Sequence, residues 1–144
     1  MPNIDVFLQD FARLEKACKE LNDTKIIVGI VGSADSDVLK IAHAHEYGDG
    51  KMPERSFIRA SFDQDSSKLG KIVSTQISKV LDGKATATGA ANAIGAQAAQ
   101  LVQNFIDDNR VKPPSNFSRK TQHTTLYETG THIRDRIAYE LESI

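Results

Sequence analysis

The sequence predicts an α+β domain: a small mixed or antiparallel β-sheet packed against several α-helices, in a single domain spanning residues 1–144. Three observations carry this expectation. Lys25 to Val31 is a nearly continuous, β-branched apolar run, as in a strand covered on both faces. Near the end of the chain, Ile137, Tyr139 and Leu141 alternate with other residues at the period of a second strand. Between them, apolar residues recur at steps of three and four over long stretches, the spacing of helix faces.

Composition narrows the class. The 144 residues are 40% hydrophobic and 26% charged, enough to bury one core and too apolar for global disorder. Eighteen basic residues face nineteen acidic ones, so the chain lacks the net basic surface that nonspecific nucleic-acid binding needs. The one cysteine, Cys18, forms no internal disulfide and no Cys-based zinc site. Met1 to Asp5 has neither a basic nor an apolar leader region, and the run Ile26–Val31 is far short of the roughly 20 residues that span a bilayer. A soluble protein made in a reducing cytoplasm is expected, with no membrane partner.

The elements follow in order. Asp5 caps a first helix to about Leu21, with Phe7, Phe11, Leu14, Cys18 and Leu21 on its inward stripe. Cys18 on that stripe reads as a packed small hydrophobe rather than a nucleophile. Asn22-Asp23 breaks the helix, and the strand 25–31 follows. The polar turn 32–37 leads into a short helix from Val38 to about His45, with Val38, Ile41, Ala42 and His45 on one side. A third helix runs from Ser61 or Phe62 to about Leu81 on the stripe Leu69, Ile72, Val73, Ile77 and Val80, ended by Asp82-Gly83. After a small-residue linker, a fourth runs from about Thr88 to Asp108 with Ala91, Ile94, Ala98, Leu101, Val102 and Phe105 inward. Its first half is rich in alanine and glycine, which suits close helix contact, within the chain or with a neighbouring subunit. Residues 111–125 form a polar loop with Arg110, Lys112, Arg119 and Lys120 on or beside it, and loops of that length are usually functional or mobile. A helical turn from Thr131 to Asp135 precedes the last strand, Ile137 to Leu141.

The side chains that could carry chemistry do not assemble into a site. His43 and His45 project about 200° apart on a helix and cannot share an ion, and the zincin spacing is absent. No serine sits in a nucleophile elbow, and Gly32-Ser33 lacks the lysine of a phosphate loop. Asp63/Asp65 and Asp107/Asp108 fall on polar faces or helix ends, where carboxylates cap or are solvated. No cofactor is implied. The basic cluster of 110–120 lacks interleaved aromatics, so it offers phosphate contact without base readout.

Two segments are more specific. Glu46-Tyr47-Gly48 leads through a glycine-rich turn into Met52-Pro53-Glu54-Arg55-Ser56-Phe57-Ile58-Arg59. Later, Pro113-Pro114-Ser115 precedes a run in which Leu126, Glu128, Thr129, Gly130, Ile133, Arg134, Ile137 and Tyr139 keep a second spacing. In this order the segments resemble the tail-completion or neck (head–tail joining, virion morphogenesis) proteins of long-tailed bacteriophages and prophages, over most of the chain from Val28 onward. Ser56, Thr125 and Arg136 depart from that pattern. The resemblance implies a non-enzymatic virion protein. It would assemble with itself into a ring at the head–tail junction, beside connector or head-completion and tail-tube proteins, with genomic DNA passing through unbound. It would be found in the host cytoplasm during assembly and then in the virion. The assembly candidates are Tyr47, Met52, Pro53, Arg55, Phe57 and Arg59, with Arg119 and Lys120 on the loop; Gly48, Gly50, Thr129 and Gly130 shape turns. If 52–59 is extended, Phe57 and Ile58 point to opposite sides, one of them outward. Two rival classes are a DNA-contacting accessory protein using the basic loop and a small hydrolase or metal enzyme.

Overall fold

The computed structural model describes residues 3–30, 36–48, 56–108, 111 and 133–144, and for residues 36–38 and 41 the backbone alone. Among these residues the order is α1 (Ile4–Asn22), β1 (Thr24–Ile30), α2 (Ser36–Tyr47), α3 (Ile58–Gln64), α4 (Ser66–Leu81), α5 (Ala87–Asp107) and β2 (Ile137–Ser143). The fold is the expected α+β domain. Its sheet is antiparallel and two-stranded, with Ile26 opposite Leu141, Val28 opposite Tyr139 and Ile30 opposite Ile137. This register puts those six apolar side chains on one face.

Helix α5 is the element around which the rest is laid. It touches α1, α3, α4 and both strands. All six side chains expected inward are buried, as are Ala87, Ala90, Gly95, Ala99 and Ile106. Thr86 caps its start by accepting the Gly89 N–H at 3.0 Å. The small residues of its first half serve the chain's own packing. A Cβ placed on Gly95 would lie 2.3 Å from Cδ2 of Tyr139, so the β2 tyrosine lies directly on the helix backbone. The Tyr139 hydroxyl donates to Asn92 Oδ1 at 3.0 Å, one turn earlier. At the other end, Arg134 makes two 2.8 Å hydrogen bonds to the Asp107 carboxylate, and Gln103 Nε2 donates to the carbonyls of Arg134 and Ile137. Strand β2 is thereby fixed at both ends of α5.

Several expectations need correction. Helix α1 is capped by Asn3, whose Oδ1 accepts the Asp5 N–H at 3.0 Å; Asp5 itself lies in the first turn. The third helix is two helices, α3 and α4, meeting at Asp65, whose φ of −103° and ψ of 25° end one helix and begin the other. Arg59 is therefore helical and not part of an extended segment. On α4, Gln76 is buried and Val73 is 37% exposed, so the helix is rolled off its apolar stripe. The largest departure is α1, none of whose residues is buried. Phe7 and Phe11 are 65% and 57% exposed, and Cys18 is exposed rather than packed. Of the expected stripe only Leu14 and Leu21 are half-buried, and with Arg13 and Ala17 they rest the helix on the domain.

Gly95→Ala tests the α5–β2 contact. The change normally favours a helix interior by about 1 kcal/mol. Here overpacking against Tyr139 is expected to reverse the sign, with a net loss of about 1–2 kcal/mol in urea unfolding. A gain in stability would contradict the close approach.

Candidate functional site

The Glu46–Arg59 segment organises the region between α2 and α3. Glu46 lies in the last turn of α2 and is buried. Its carboxylate takes five hydrogen bonds: Oε2 accepts the N–H groups of Phe57 and Ile58, both at 2.9 Å, and Oε1 accepts the Arg59 N–H at 2.9 Å, the Arg59 Nε–H at 3.0 Å and the Ser56 hydroxyl at 2.8 Å. Ser56 Oγ in turn accepts the Ala60 N–H at 3.1 Å. Residues 57–60 carry the amide donors that a helix start leaves without intrahelical partners. All four are met here, three by one carboxylate and one by one hydroxyl. The negative charge also sits at the favourable end of the α3 dipole. Arg59 returns the arrangement by donating from Nη2 to the Glu46 carbonyl at the end of α2. Burial alone would raise the Glu46 pKa, but the amides of Ile58, Arg59 and Phe57 and the Ser56 hydroxyl outweigh it and hold the group below its ordinary value.

Gly48 ends α2. Its φ is +77° and its N–H bonds to the Ala44 carbonyl at 2.8 Å, the left-handed closure for which glycine is suited. Phe57 is fully buried and belongs to the core with Val102, Phe105, Ile106, Ile133 and Ile137. That corrects its assignment as an assembly residue: the carboxylate pins its backbone, and α3 begins with the ring turned inward. Tyr47 is 57% exposed, with the Arg59 guanidinium 4.6 Å from its ring centroid and the His43 ring 4.9 Å away. The outward groups of this motif are thus Tyr47, His43 and the outer part of Arg59, next to exposed Leu39 on α2. Met52, Pro53 and Arg55, the turn residues Gly50, Thr129 and Gly130, and Arg119 and Lys120 lie outside the described residues.

What the arrangement does is mechanical. A carboxylate with five donors has no lone pair left for a substrate proton, and Arg59 is committed to it at short range. Among the described residues no three histidine, cysteine or acidic side chains converge at metal-binding distance. Sequence reasoning quoted Glu46 without giving it a role. The signal was present: an acid closing one helix, followed by Ser-x-x-Arg at the start of the next.

A second surface was missed altogether. Ile4, Phe7, Leu8 and Phe11 lie at the i, i+3, i+4 and i+7 positions of α1 and are all more than half exposed. The helix is held from its other side, where Arg13 donates to the Val80 and Leu81 carbonyls at 2.9 and 3.3 Å and pairs with Asp10. No family model matches this chain, no curated protein is significantly similar to it, and no solved structure matches its fold.

Glu46→Ala is expected to cost about 3 kcal/mol, because it leaves buried amides without acceptors. The pH dependence has a definite sign. The folded pKa lies below the unfolded one, so the contribution is complete above about pH 4.3 and is lost as pH falls through the folded value. Between pH 6 and pH 3 the urea midpoint should therefore fall further for wild type than for Glu46→Gln. Equal losses would remove Glu46 from the account.

Proposed function

We propose that this chain is a structural, non-enzymatic assembly subunit that forms a homo-oligomeric ring at the head–tail junction of a long-tailed bacteriophage or prophage particle. There it completes the tail and joins it to the connector. The observation that carries an assembly role is the apolar half of α1, Ile4 to Phe11, left to water on a helix that is firmly capped and tethered. Patches of that size on a soluble protein mark protein contacts. The placement at a phage junction rests on the likeness of the 46–59 and 113–139 segments to neck and tail-completion proteins. Within that likeness the roles separate: Glu46, Ser56, Phe57, Arg59 and Gly48 build the subunit, and Tyr47 stands exposed toward a neighbour. Connector and tail-tube proteins are the neighbours this reading requires, and DNA is a passenger. The work is done in the host cytoplasm and the product resides in the virion.

The test is genetic and structural. Particles made without the chain are expected to show unjoined heads and tails, or heads that lose DNA, by negative-stain microscopy. Wild-type chain supplied in trans should restore joined particles, and labelled chain should localise to the junction. Because Phe57 is a core residue, Tyr47→Ala, at an exposed position, is the suitable surface variant; it should fold yet restore infectivity at least tenfold less well than wild type. Joined, infectious particles in the absence of the chain would sink the reading.

A further inference from the structure

We draw no further inference here: the strongest candidate, the exposed apolar patch of Ile4, Phe7, Leu8 and Phe11 on the first half of α1, carries none, because nothing in the structure shows what covers it.

Discussion

The carboxylate of Glu46 is the constraint on which the middle of the molecule depends. It ties the last turn of α2 to the start of α3 and fixes where Phe57 enters the core, all within a few ångströms. A seven-residue helix cannot hold itself in water, because nucleation costs more than so few hydrogen bonds return. Glu46 and Ser56 supply the missing first turn from outside, and Phe57, Ile58, Ala60 and Phe62 then pack α3 against the core. A proline at position 56 would remove the hydroxyl that bonds both Glu46 and the Ala60 amide. The departure from the neck-protein pattern is thus locally consistent: where serine stands, a capping hydroxyl does the work.

How much was legible in the sequence follows from which forces are local. Helix α5 was readable almost to the residue, because its stripe is long and buried on an unbroken period; the start expected near Thr88 falls at Ala87, capped by Thr86. The β1–β2 pairing was readable as two strands sharing an apolar face, and the register followed once they met. The break between α3 and α4 was not. The sequence around Asp65 has no glycine or proline to mark a break, and the early start of α3 is set by Glu46, eleven to thirteen residues upstream of the amides it binds. The role of Glu46 was hidden for the same reason, since a carboxylate that bonds backbone amides leaves no composition signal. Phe57 was named for assembly on the resemblance, and the alternation expected of an extended chain left open which of Phe57 and Ile58 faced the core; the helical start turns Phe57 inward.

The misreading of α1 has a different origin. Hydrophobic periodicity reports that a face will be buried, not by which chain. In α1 the apolar stripe divides along its length: Leu14 and Leu21 in the second half touch the domain, beside Arg13 and Ala17, while Phe7 and Phe11 in the first half do not. Calculated from its own chain, the stripe is a cost: four large side chains in water forgo roughly 1.5–3 kcal/mol each relative to full burial. A subunit can carry that deficit only if the remaining core suffices alone, and the continuous buried face of α5 is what makes it suffice.

The way α1 is attached also decides what that face can be used for. A helix held by apolar burial of its stripe would have to detach before offering it. Here the attachment lies in the second half, through half-buried Leu14, Ala17 and Leu21 and through Arg13, which spans the carbonyls of Val80 and Leu81 at the end of α4, where a cation meets the negative end of the helix dipole. Asp10 fixes the guanidinium from one turn away. The first half of α1 is therefore presented already folded, capped by Asn3 and oriented by Arg13, with its apolar face outward. Preorganisation of this kind lowers the ordering entropy that an interface must overcome. A partner would bind a formed surface, and the energy of covering Phe7 and Phe11 would go to association rather than to folding the helix.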